Sequence, residues 1–232
     1  MPDNRQVKNL ILASEVEFVR DASTSELSEK LRITSMDKPF IRAAERNKSY
    51  ILNHLKDIFL QCSSVLEIGS GTGQHAVYFA PQLMHLKWQT SDLAKNLKGI
   101  SIWLKDSPCP NLPMPIELDI KDWPQLKQKY DAIFASNVIH YIEQRLVPEF
   151  FRHSAKTLNS EGVLAIYGPF KQNDQYSSRG DMRLDLMLRS ENKHFGLRNL
   201  EYLFDIASEH GFITAAKLDL PANNKLVFWT RS

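Results

Sequence analysis

Residues 63–75, Ser63-Ser64-Val65-Leu66-Glu67-Ile68-Gly69-Ser70-Gly71-Thr72-Gly73-Gln74-His75, decide how this chain folds. Val65, Leu66 and Ile68 read as a short apolar strand. Gly69, Gly71 and Gly73 then demand a tight turn, and Ala76, Phe79 and Ala80 carry the apolar spacing of a helix behind it. Strand, glycine turn and helix together are how an α/β sheet lets a ligand approach the backbone closely at a helix start. A dinucleotide-binding turn sets its third glycine three residues after the second, as G-x-G-x-x-G. Here the spacing is G-x-G-x-G with Glu67 in the strand end, so a nicotinamide oxidoreductase is disfavoured.

Working outward, strand and helix patterns alternate along the chain. Leu86–Asp92 reads as the second strand, ending on Asp92 about 20 residues beyond the glycine turn, where a carboxylate accepts from ribose hydroxyls. Pro115–Ile120 reads as a third strand with Asp119 at its end; Asp119 otherwise caps a helix near Asp122-Trp123-Pro124. Tyr130–Ser136 is a continuous apolar run, as a parallel strand covered on both faces requires. It opens onto Asn137 and His140, which should face the ligand at the point where the strand order reverses. His140 is the best general-base candidate because imidazole titrates near neutrality. Val163–Gly168 is the fifth strand. A polar loop to Gly180 follows, with Tyr167, Lys171 and Tyr176 as substrate-facing candidates. Helices are expected over Met182–Leu188 and Leu200–Ala207. Phe212–Leu220 and Lys225–Thr230, joined by Pro221-Ala222-Asn223-Asn224, read as a closing hairpin.

Before the glycine turn, Lys38-Pro39-Phe40 is extended. Arg42 to Asn47 then opens a helix whose buried face is Ile51, Leu55 and Ile58. Residues 1–36 read as an N-terminal helical extension, with Ser23 and Glu26 fitting a capping box. Such an extension docks on the main domain or on another copy of the chain, which would make a homodimer. Residues 37–232 form the main domain.

Composition narrows the function classes. The 232 residues are 43% hydrophobic and 24% charged, with a net charge of +2, ordinary for a soluble globular protein. That balance gives no case for a membrane surface or a nucleic acid. Lys171, Arg179, Arg183, Arg189, Lys193 and Arg198 form only a small basic group with acids interleaved, which weakens an RNA-directed reading. Cys62 and Cys109 suit neither a disulfide framework nor zinc. The acidic residues are spread over separate ligand positions, so no metal site is expected. No leader or membrane span is legible, and the cytoplasm is the expected compartment.

The G-x-G-x-G turn with its preceding glutamate resembles the first motif of class I S-adenosylmethionine (SAM) methyltransferases. From Lys38 onward the chain is similar to the methyltransferase-like 26 family. The motifs that carry this are Lys38-Pro39-Phe40, Ala44-Glu45-Arg46-Asn47, Ser70 to Ala76, Asn137-Val138-Ile139-His140, Tyr167-Gly168-Pro169 and Pro221 to Asn224. Two departures stand out: Ser178-Arg179-Gly180-Asp181 where the family often has Ser-Asn, and Asn199 where it commonly has aspartate.

The resemblance implies a Rossmann-like seven-stranded sheet, mostly parallel, with an antiparallel C-terminal hairpin and helices on both faces. It implies SAM as cofactor, with S-adenosylhomocysteine (SAH) as product. The residues it points to for the cofactor are Arg46, Asn47, Glu67, Gly69, Ser70, Gly71, Gly73, Asp92, Leu93, Asp119, Ile120 and Asn137. Asn137 and His140 are the catalytic candidates, acting on an oxygen or nitrogen of an unidentified acceptor. A noncatalytic SAM-binding or interaction module would keep the cofactor residues and methylate nothing.

Overall fold

The computed structural model describes residues 38–232. The extension expected over residues 1–36, and with it the homodimer contact, lies outside the described residues.

Among the described residues, seven strands form one sheet in the order β3-β2-β1-β4-β5-β7-β6. Strands β1 (Ser64–Ile68), β2 (Lys87–Asp92), β3 (Ile116–Glu117), β4 (Tyr130–Ser136) and β5 (Leu158–Pro169) pair in parallel. β7 (Asn224–Arg231) runs antiparallel between β5 and β6 (Phe212–Asp219). Ala222 and Asn223, at φ 59° and 60°, make the reversal. Two consecutive left-handed residues match the right-handed twist of the flanking strands. The register slips between Thr214 and Ala216 in β6.

Six α-helices accompany the sheet among the described residues: α1 (Arg42–Ile58), α2 (Gln74–Phe79), α3 (Ala94–Asp106), α4 (Val147–Thr157), α5 (Arg179–Glu191) and α6 (Leu200–Glu209). None is long and apolar enough to cross a membrane. Side-chain alternation in the central strands explains why both faces need cover. In β4, Ile133 and Ala135 enter one core with Phe150, Phe151, Leu203 and Trp229. Ala132 and Phe134 enter the other with Ile51, Leu55, Phe79, Trp88 and Ile100. α4 and α6 therefore cover one face, and α1, α2 and α3 the other.

Two local expectations are corrected. The third strand is only Ile116–Glu117, and Asp119 turns back in a bridge to Asp122. Pro113 and Pro115 lack the amides a longer ladder needs. No helix forms near Asp122-Trp123-Pro124; residues 121–129 are turns and irregular chain. In contrast, α5 starts earlier than its apolar spacing suggests, at Arg179, because the Ser178 hydroxyl accepts from the Asp181 amide at 3.1 Å.

Candidate functional site

The glycine turn is held open by backbone that only glycine adopts freely: φ is 67° at Gly69, 60° at Gly71 and 90° at Gly73. A Cβ on Gly69 would stand 2.5 Å from a methyl of Val138, so the turn also lies directly against the segment after β4. Asp92 ties this turn to β2. One carboxylate oxygen accepts from the Gly71 amide at 2.7 Å, the other from the Leu93 amide at 2.7 Å and the Asn96 side chain at 2.8 Å. Ser70 links the same pieces, its hydroxyl donating to Glu67 at 3.0 Å and accepting from the Ser91 amide at 3.2 Å. Glu67 is buried and also accepts from the Trp88 indole at 3.0 Å. Burial pushes its carboxyl up to about 7, the Trp88 and Ser70 bonds oppose the rise, and Asp92 adds to it.

Beyond β4, Asn137 takes a left-handed φ of 58° and donates its amide to the Tyr167 carbonyl at 2.8 Å. His140 is 1% exposed, packs edge-on against Phe170 at 5.5 Å, and neither ring nitrogen has a partner. A Cβ on Gly168 would meet His140 Nε2 at 2.4 Å and Asn137 Oδ1 at 3.2 Å. Glycine at 168 is what lets these two side chains share one spot on β5. Burial, then the charge of Arg198, lowers the His140 pKa to about 3.

Arg198 reaches this segment from the chain between α5 and α6. It donates to the carbonyls of Ile139 at 3.2 Å, His194 at 3.0 Å and Ile142. Burial, then Arg189, pulls its own pKa down to about 10. Asp185 anchors the same region by accepting from Tyr176 (2.8 Å), Arg189 (2.8 Å) and the Leu197 amide (2.6 Å).

The expected ligand residues divide by geometry. Glu67, Gly69, Ser70, Gly71, Gly73 and Asp92 are joined in one network, and Leu93 is exposed at the start of α3. Gly69 abuts Val138, bringing the segment with Asn137 and His140 against that network. Asp119 and Ile120 stand half-buried after β3, with Asp119 accepting from the Lys121 amide at 2.9 Å. Arg46 is exposed on α1, while Asn47 is half-buried. Asn47 bonds to His75 Nε2 at 2.7 Å and to the Tyr167 hydroxyl, bracing α1 against α2 and β5. Tyr167 is thus a buried brace rather than a substrate-facing residue; burial pushes its hydroxyl up to about 12. The small basic group also shrinks, because Arg198 is 3% exposed and Arg189 is paired with buried Asp185.

Sequence reasoning singled out His140 but gave Gln74 no role, because its burial without a partner shows only in the structure. Among the described residues, buried polar atoms without a partner include Gln74 Nε2, Ser136 Oγ, both His140 nitrogens and Asp181 Oδ2. Gln74 follows β1, and Ser136 and His140 stand at the end of β4 and just after it; Asp181 lies in α5, and Thr90 Oγ1, Trp123 Nε1, Ser154 Oγ and Trp229 Nε1, also without a partner, lie in β2, after β3, in α4 and in β7. A dry, unpaired polar group costs about 1–3 kcal/mol. Gln74 and His140 are the members of this set on the two segments that Gly69 and Val138 bring into contact.

A family model described as a protein of unknown function, DUF938, matches residues 38–231. The chain belongs to the DUF938 family. Among solved structures, this DUF938 protein is similar to an O-methyltransferase family protein from Burkholderia thailandensis, with TM-score 0.72 and 15% identity over 82% of this chain and 57% of that one. It is similar to human N-acetylserotonin methyltransferase, solved in complex with SAM, with TM-score 0.71 and 13% identity over 82% of this chain and 53% of that one. PigF, solved with SAH, gives TM-score 0.70 and 16% identity, covering 82% and 56%. At these identities the likeness is one of fold, a Rossmann-like methyltransferase architecture. The DUF938 chain spans little more than half the length of these relatives.

Proposed function

We propose that residues 37–232 form a SAM-dependent methyltransferase domain acting on an oxygen or nitrogen of a small-molecule acceptor in the cytoplasm. The observation that carries this reading is the glycine turn tied to a strand-end carboxylate, with the unpartnered, buried Gln74 Nε2 directly after it. The residues present suit the cofactor. Asp92 offers acceptors to ribose hydroxyls, the turn from Gly69 to Gly73 gives backbone access, and Asp119 with Ile120 would offer adenine an acceptor and an apolar wall. Burial raises the Glu67 carboxyl to about 7, and an ammonium group brought beside it would favour its charged form. The narrower kinship to methyltransferase-like 26 rests on the motifs quoted above.

When bound, SAM supplies a methyl group activated by its sulfonium, and the transfer is an in-line displacement. The chain's contribution is then chiefly positioning. Asn137 and His140, brought together over Gly168, would hold the acceptor. With its pKa near 3, His140 is neutral at physiological pH and a weak base, so its role is to accept a hydrogen bond from the acceptor's O–H or N–H and fix its lone pair. Arg198 holds the segment that bears His140 through the carbonyls of Ile139 and Ile142.

The test is calorimetric titration with SAM and SAH, wild type beside Asp92→Ala. Roughly micromolar binding that the variant loses is the expected result. Absence of binding by folded wild type would overturn the proposal. Binding without turnover over a broad acceptor panel would turn the reading toward a SAM-binding module.

A further inference from the structure

We infer that Gln74 is the donor that receives the carboxylate of the cofactor's amino-acid end, an inference that rests on the SAM reading above. Gln74 follows Gly73 directly and is 2% exposed. Its side-chain oxygen is committed twice, to the Ile41 amide at 2.6 Å and to the Thr72 hydroxyl at 2.9 Å. A backbone N–H can only donate, so Ile41 fixes which end of the Gln74 amide is oxygen and rules out the flipped arrangement. The other end, Nε2, carries two N–H groups, is buried, and has no partner.

The neighbours of Gln74 cannot turn away to serve that donor. Ile41 ends a short strap, Lys38 to Ile41, that is clamped on α3. The Trp103 indole donates to the Pro39 carbonyl at 2.6 Å, and Lys38 Nζ lies 3.8 Å above the Trp103 ring. Gly99 lets Pro39 approach so closely that a Cβ there would stand 2.8 Å from the Pro39 ring. Ile41 also reaches the glycine turn, 3.8 Å from the position of a Cβ on Gly71. Gln74 is therefore pinned between a fixed strap and the turn, with one pair of N–H groups unanswered.

The chemistry of the ligand selects the match. Asp92 serves the ribose, and Asp119 with Ile120 the adenine. The ammonium is itself a donor and the sulfonium a cation, so neither answers an N–H. The carboxylate accepts only, and bonds of N–H groups to an ionised acceptor are the strong ones.

The experiment compares SAH with 5′-methylthioadenosine, which keeps the nucleoside and thioether but has no carboxylate. Gln74→Glu retains an oxygen for Ile41 and Thr72 and replaces the donor with an acceptor. We expect it to weaken SAH by about ten-fold or more while leaving 5′-methylthioadenosine unchanged within about two-fold. Equal losses for both ligands, no loss for SAH, or a gain for SAH would each overturn the assignment. If thermal melting shows that Gln74→Glu does not fold, Gln74→Met, of similar length and without a donor, is read by the same comparison. Wild type that binds neither ligand would remove the SAM reading itself, a failure distinct from the loss of selectivity tested here.

Discussion

Glu67 allows the buried end of β1 to be interrogated by pH. Its carboxyl is 1% exposed, and burial raises it from 4.5 to about 7 despite the bonds from Trp88 and Ser70. A raised carboxyl pKa means that the folded state favours the protonated form. Its contribution is therefore fully present below pH 4.5, the unfolded value, and is lost as the pH rises through 7. At about 1.4 kcal/mol per pH unit, that span is worth about 3 kcal/mol. Glu67→Gln keeps an oxygen for Trp88 and Ser70 but cannot ionise. Guanidinium chloride unfolding of both proteins, followed from acid to about pH 8, should show the variant gaining on wild type by about 3 kcal/mol across the window. Apart from Asp92, which acts on Glu67 directly, the other titrating groups are shared by the two proteins and cancel in that difference. A difference that stays flat would refute the reasoning, because it would mean Glu67 is not held in a site that penalises its charge.

Two further substitutions probe the acceptor side. Gly168→Ala puts a methyl group 2.4 Å from His140 Nε2 and 3.2 Å from Asn137 Oδ1, and should cost about 1–3 kcal/mol as local overpacking; an unchanged melting temperature would contradict the tight approach. Arg198→Met strips the donors from the carbonyls of Ile139, Ile142 and His194, for an expected loss of roughly 2–4 kcal/mol in urea unfolding; wild-type stability in that variant would show the clamp to be idle.

The glycine turn and Asp92 were legible because each is imposed locally. Positive φ at alternate positions needs glycine, and the distance from a βα turn to the next strand end is set by the length of one helix. The hairpin at Ala222–Asn223 was legible for the same reason. The third strand was over-read: Ile116, Leu118 and Ile120 alternate as a strand should, but Asp119 prefers a turn with Lys121 and Asp122. Gln74 and Arg198 were invisible because their meaning lies in partners distant along the chain. Gln74 reads as an ordinary helical residue until the Ile41 amide is found on its oxygen. Arg198 reads as a surface cation until three carbonyls are found around it.

The slip between Thr214 and Ala216 bears on how molecules of this protein meet one another. Among the described residues the sheet ends on β3 at one side, only Ile116–Glu117 long, and on the eight residues of β6 at the other. An open edge of that length invites another chain to add a strand, all the more with Ile213 63% exposed upon it. The slip interrupts the straight row of free amide and carbonyl groups, and Lys217 and Asp219 place charge on the remainder. Straightening β6 would therefore be felt first in solubility at high concentration, well before any change in what the opposite end of the sheet can bind.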